Sequence, residues 1–91
     1  MLVLVVYDIP EDKRRTKLAA FLEGYGRRVQ YSVFECFIDL PEMKQLYEAL
    51  QKKVKPDEDN IRLYWITKDS FSKALSIGGT PLTAPPDYYI I

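Results

Sequence analysis

Ninety-one residues make one small domain, and thirteen Lys and Arg balance thirteen Asp and Glu. The absence of histidine excludes His-activated nucleophiles, His general bases and His-ligated metals, and the single cysteine, Cys36, excludes an intramolecular disulfide and a thiolate metal cluster. A hydrolytic site in such a chain rests on carboxylates and a hard cation such as Mg²⁺.

At this size folding hides only roughly 60% of the chain's surface, so a lone monomer is marginal. The apolar content of 47% is ample for a core and for an oligomer interface. No apolar run approaches the ~18 residues of a membrane span. Leu2–Tyr7 is too short for the core of a signal peptide and follows no basic segment. The expectation is a cytoplasmic protein, with no membrane partner and one reduced thiol.

The chain opens with a Val-rich apolar run, Leu2 to Tyr7, of strand length. It ends on Asp8, and Pro10 breaks it two residues later. Lys13, Arg14, Arg15 and Lys17 follow closely, so an acid at a strand's mouth has four cations behind it. A helix is predicted from about Glu11 to Glu23, with Leu18, Phe21, Leu22 and Tyr25 as its apolar stripe. Gly24 and Gly26 supply its stop. Arg27 to Leu40 reads as strand, with a short piece near Arg28–Gln30, a tight bend, and a longer piece over Val33–Ile38.

A second helix is predicted from about Glu42 to Val54, with Met43, Leu46, Tyr47, Leu50 and Val54 on its stripe. Asp57–Asp59 reads as a solvated acidic turn. Ile61–Thr67 is another strand, in which Tyr64 and Trp65 read as packing residues. Phe71–Ile77 holds a helical turn. Residues 79–91 read as a Gly/Pro linker and a final apolar strand, Tyr88–Ile91.

One pattern occurs twice: Asp8-Ile9-Pro10-Glu11 and Asp39-Leu40-Pro41-Glu42. Each follows a strand and opens a helix, with Asp placed as N-cap and Glu completing a capping box. Strand–helix–strand twice over is the βαββαβ order of a ferredoxin-like α+β sandwich. Both strand faces are apolar: Leu2, Leu4 and Val6 on one, Val3, Val5 and Tyr7 on the other. Two helices cover one sheet face only. A second copy of the chain is the simplest cover for the other, and the tail is suited to pair with that partner's sheet.

Charge is unevenly spread. Asp12–Gln30 holds six Lys and Arg against two acids, while Glu35–Asn60 holds seven acids against four lysines. Cations at a helix N-terminus oppose the dipole. Phosphate binding gives a reason to keep them there, so Arg14, Arg15, Lys17, Arg27 and Arg28 read as contacts to nucleic-acid backbone.

The segments VVYDIPEDKRRTKLAAFLEGYG and RRVQYSVFEC together resemble the small CRISPR-associated nuclease family called Cas-two. They cover about the first forty residues, and the remainder agrees in length and pattern. The resemblance implies a ferredoxin-like homodimer with Asp8 near the twofold axis, opposite its twin. It implies metal-dependent endonuclease activity on RNA or double-stranded DNA in spacer acquisition, the stage of prokaryotic antiviral defence that records new sequence. One Mg²⁺ ion shared by Asp8 of both subunits would serve as cofactor. It also implies a second role, in which the dimer bridges CRISPR integrase subunits on duplex DNA without cleaving it. Tyr7, Arg15, Lys17, Arg28 and Phe34 match the family's supporting positions, with Lys17 standing where relatives carry arginine. Asp8 thus reads both as a metal ligand and as an N-cap. Phe34 reads as core filler more readily than as a stacking platform.

Overall fold

The computed structural model describes residues 1–79 and 82. Strand β1 (Leu2–Asp8) leads into helix α1 (Asp12–Leu22). A hairpin follows, β2 (Arg27–Gln30) and β3 (Val33–Phe37), then helix α2 (Leu40–Gln51), strand β4 (Asn60–Ile66) and a short helix α3 (Lys68–Ser72). The strands form one antiparallel sheet in the order β2-β3-β1-β4. Each long helix links two strands that are not neighbours. This is the ferredoxin-like arrangement expected from the sequence.

Register puts the two apolar sets of β1 on opposite faces. Val3 and Val5 stand opposite Cys36 and Phe34, and Tyr7 opposite Ile61. Those residues pack against Leu18, Ala19 and Leu22 of α1 and Leu46 and Leu50 of α2 as the main core. Phe34 is fully buried there, a placement that stabilises by roughly 1.5–3 kcal/mol relative to exposure. Cys36 is buried beside it, and burial, with Glu35 adding to it, pushes its thiol up to about 11. It is a small apolar filler at neutral pH.

The second face carries Leu2, Leu4, Val6 and Asp8 of β1, beside Val33, Glu35 and Phe37 of β3. The chain itself covers one end. Thr67 caps α3, its hydroxyl accepting from Ser70 N at 3.1 Å. Phe71 then packs on Leu2, Phe37 and Ile66, meeting the Phe37 ring edge-on at 5.7 Å. The helical turn therefore lies earlier than the predicted Phe71–Ile77, because the cap is Thr67. Toward the Asp8 end, Leu4, Val6 and Val33 stay half-buried.

Other expectations are corrected. Helix α2 stops at Gln51, short of Val54, because its last turn tightens: Lys52 N bonds Ala49 O and Lys53 N bonds Leu50 O, three residues back. Tyr47 is turned outward and 53% exposed, and Tyr64 and Trp65 also keep much of their surface on the edge strand. Helix α1 ends without a left-handed glycine. Gly26 is required for a different reason. A Cβ there would lie 2.3 Å from the Glu35 carbonyl oxygen and 2.6 Å from Cys36 Sγ. The short strand, tight bend and longer strand expected over Arg27–Leu40 are present: the hairpin turns at Tyr31–Ser32, and a register shift between Arg28 and Gln30 marks a bulge in β2. The Tyr88–Ile91 strand lies outside the described residues.

Candidate nucleic-acid interface

Asp8 is the last residue of β1, opposite Asn60, and it is exposed. Strand alternation puts it on the face of Leu2, Leu4 and Val6. It does not cap α1. The N-cap is Glu11, whose carboxylate accepts from Lys13 N at 2.7 Å and Arg14 N at 3.2 Å. Asp39 does cap α2, in a full capping box: Glu42 N donates to Asp39 Oδ1 at 2.8 Å, and Asp39 N donates to Glu42 Oε1 at 3.1 Å. The shared four-residue pattern thus has two outcomes. Ile9 is buried, so the chain dips into the core before α1 begins, whereas Leu40 is exposed and already helical. Among the described residues, no hydrogen bond or ion pair engages the Asp8 carboxylate.

The loop that follows Asp8 is fastened by Arg15. Its Nη1 donates to the carbonyls of Ile9 at 2.9 Å and Pro10 at 3.3 Å, and its Nη2 to the Asp12 carboxylate. The Asp12 bond raises the guanidinium's affinity for its proton, so it stays charged. The Arg15 guanidinium also lies 5.7 Å from the centre of the Tyr31 ring. Arg28 approaches the same ring at 6.0 Å and the Phe34 ring at 5.5 Å. Arg28 pairs with Phe34 on the ladder and so projects toward the helix layer; Arg27 pairs with Glu35 and projects to the other face.

Arg14 has a different job. Its Nε and Nη2 donate to the Asp59 carboxylate at 2.6 and 2.9 Å, and Glu58 and Glu11 lie within 3.8 Å. Asp59 is buried, and not part of a solvated turn. It also accepts from Lys55 N at 2.9 Å. The unfavourable placement of Arg14 near a helix N-terminus is offset by these acids. Its guanidinium is not offered to a phosphate. Lys17 is exposed on α1.

Tyr7 is buried, with its hydroxyl donating to the Tyr31 carbonyl oxygen at 3.3 Å. Its ring lies 6.4 Å from that of Phe34, and both belong to the core. Neither is presented to a ligand. Of the residues singled out in the sequence, the fold gathers Arg15 and Arg28, and it sets Asp8 at the end of β1, two strands from Arg28 and on the other face of the sheet. Tyr31, which joins the two arginines, was not among them, and Asp59, which claims Arg14, was read only as part of a solvated turn.

The model of the family described as CRISPR associated protein Cas2 matches residues 1–74. The chain is 42% identical over 90 residues to a CRISPR-associated endoribonuclease Cas2 of Synechocystis sp., covering 99% of this chain and 98% of the relative. It is similar to the crystal structure of Streptococcus pyogenes Cas2, with a TM-score of 0.74, 32% identity, and 86% and 100% of the two chains covered. A chain of a solved partial Cas6-RT-Cas1–Cas2 complex matches with a TM-score of 0.76 and 36% identity, over 99% of this chain and 98% of that one. Whole-chain identity at this level, on a shared ferredoxin-like fold, places this protein in the Cas2 family.

Proposed function

We propose that the protein is a CRISPR-associated endonuclease, acting on RNA or double-stranded DNA in spacer acquisition, as a homodimer in the cytoplasm. The observation that carries this reading is Asp8: an exposed carboxylate, free of capping duty, at the end of a buried strand. The name endoribonuclease carried by the Synechocystis relative supports it.

The residues present fit Mg²⁺ only across two copies. Among the described residues, no group of three or more acidic, His or Cys side chains is placed to hold a metal. Mg²⁺ binds through one or two carboxylates and keeps several waters. Asp8 supplies one such ligand, and Asp8 of a second copy would supply the other. That second copy would sit on the face that carries Leu4, Val6 and Val33. When bound, the ion would activate water and offset charge on the phosphate. Arg15 keeps the Asp8 loop in place, and Arg28 holds the phosphate backbone.

Titration of cleavage against Mg²⁺, on RNA and on duplex DNA, tests the reading, with Asp8→Asn beside the wild type. Metal-dependent cleavage that Asp8→Asn abolishes supports it. Cleavage by Asp8→Asn equal to wild type overturns it.

A second reading is a non-catalytic scaffold that holds duplex DNA and bridges CRISPR integrase dimers. The match to a chain from an assembly that contains Cas1 favours it. Stable complex formation with an integrase, undiminished in Asp8→Asn, supports this role.

A further inference from the structure

A phosphate cut beside Asp8 needs a cation on the same face of the sheet, and Arg28 projects to the opposite one. The register of β1 and β4 supplies a candidate. Asn60 pairs with Asp8, Arg62 with Val6 and Tyr64 with Leu4. Strand alternation therefore sets all three side chains on the Asp8 face. Arg62 is the diagonal neighbour of Asp8 on this ladder, and such residues lie about 7–8 Å apart, within reach of a long side chain. Arg62 is exposed, on the edge strand of the sheet. Among the described residues no carboxylate pairs with it. Its Nη1 donates to the Tyr64 hydroxyl at 3.4 Å, which raises the guanidinium's affinity for its proton. The other cation that the ladder places on this face, Arg27, stands opposite Glu35 and two strands from β1.

From this placement we propose that Arg62 is a catalytic residue of the Asp8 site, holding the non-bridging oxygens of the phosphate that is cleaved. The inference rests on the endonuclease reading above and adds the cation which that reading lacks on the Asp8 face. In the hydrolysis, water adds to phosphorus, the bond from phosphorus to one sugar oxygen breaks, and the water's proton passes to that oxygen through solvent. Arg62 neither gives nor takes a proton. It offsets the charge that builds on the phosphate, as a positioned arginine clamp does. Its planar fork matches two phosphate oxygens at once, and the long bond to Tyr64 leaves the rest of its donors open. The edge position matters too. Arg62 borders the apolar patch of Leu4, Val6 and Val33 instead of standing within it. A second copy seated on that patch leaves the guanidinium free to reach a phosphate at Asp8.

Cleavage kinetics, melting with and without Mg²⁺, and sedimentation test this on Arg62→Ala and Arg62→Lys, beside wild type and Asp8→Asn. The substrate is whichever of RNA and duplex DNA the wild type cleaves. Arg62→Ala is expected to lose about 100- to 1000-fold in kcat, while its Mg²⁺-induced rise in Tm and its dimer constant match wild type. Arg62→Lys recovers part of the loss, since it keeps the charge without the fork. Asp8→Asn loses cleavage and the Mg²⁺-induced rise together. A kcat for Arg62→Ala equal to wild type overturns the inference and leaves the Asp8 reading standing. A higher KM with unchanged kcat also overturns it, because Arg62 then contributes only uniform binding along the backbone. A weakened dimer or a lost Mg²⁺ response in Arg62→Ala overturns it as well, and assigns the residue to the interface or the ion. Wild type that shows no Mg²⁺-dependent cleavage, or Asp8→Asn that cleaves equally, overturns the endonuclease reading and this inference with it.

Discussion

The Arg14 guanidinium closes on the Asp59 carboxylate through two bonds, Nε at 2.6 Å and Nη2 at 2.9 Å. The acid has no solvent-exposed side-chain surface. This contact ties the first turn of α1 to the residue just before β4. Asn60, the next residue, pairs with Asp8. The edge strand thus begins in register beside the candidate catalytic acid because a buried pair holds it there.

The pair gives the fold an acid sensitivity with a defined sign. The bond from Arg14 holds the Asp59 carboxyl below its usual 3.8, against the opposing push of burial. A depressed folded-state value contributes stability above the ordinary carboxylate range, and that contribution is lost as pH falls through the depressed value. Asp59→Asn should therefore lower Tm at pH 7 by at least about 5 °C. The gap between variant and wild type should narrow below about pH 4. Melting curves across that range check it, and a gap independent of pH would discard the linkage.

The basic residues should separate into structural and binding roles. Arg28→Ala should reduce the slope of log affinity against log salt on duplex DNA by roughly 0.9, the value for one phosphate contact. Arg14→Ala should lower Tm while leaving that slope as in wild type, because its guanidinium is spent on Asp59. Filter binding at graded salt, at a temperature below both melting points, measures the two. A slope change for Arg14→Ala as large as for Arg28→Ala would refute the division.

Much of this fold was legible in local words. The apolar run Leu2–Tyr7 and the alternation around Phe34 gave the strands and their two faces. The D-x-x-E spacing at Asp39 gave a capping box that the structure contains. What was hidden depended on distant partners. A charge run cannot reveal that Arg14 will meet an acid forty-five positions later. Asp8 and Asp39 share one pattern, yet burial of Ile9 delays the first helix until Asp12. The bend between Arg28–Gln30 and Val33 was legible, but the bulge between Arg28 and Gln30 was not. The bulge also hid Tyr31, which simple alternation would not have singled out beside Arg15.

The same two aspartates provide the last test. Asp39 caps α2 through a reciprocal box, so Asp39→Ala should cost about 0.5–2 kcal/mol. In a domain of this size each kcal/mol lowers Tm by roughly 4–8 °C. Asp8 caps nothing, and Asp8→Ala at an exposed site should change stability by less than about 0.5 kcal/mol. Metal binding should reverse the ranking. A ligand that binds only the folded protein raises Tm by mass action, so Mg²⁺ should raise the Tm of wild type and of Asp39→Ala. It should leave that of Asp8→Ala in place. Cleavage should follow the metal and not the stability: lost in the more stable variant, kept in the less stable one below its melting point. If Mg²⁺ stabilises Asp8→Ala as much as wild type, the ion binds elsewhere, and Asp8 is not its ligand.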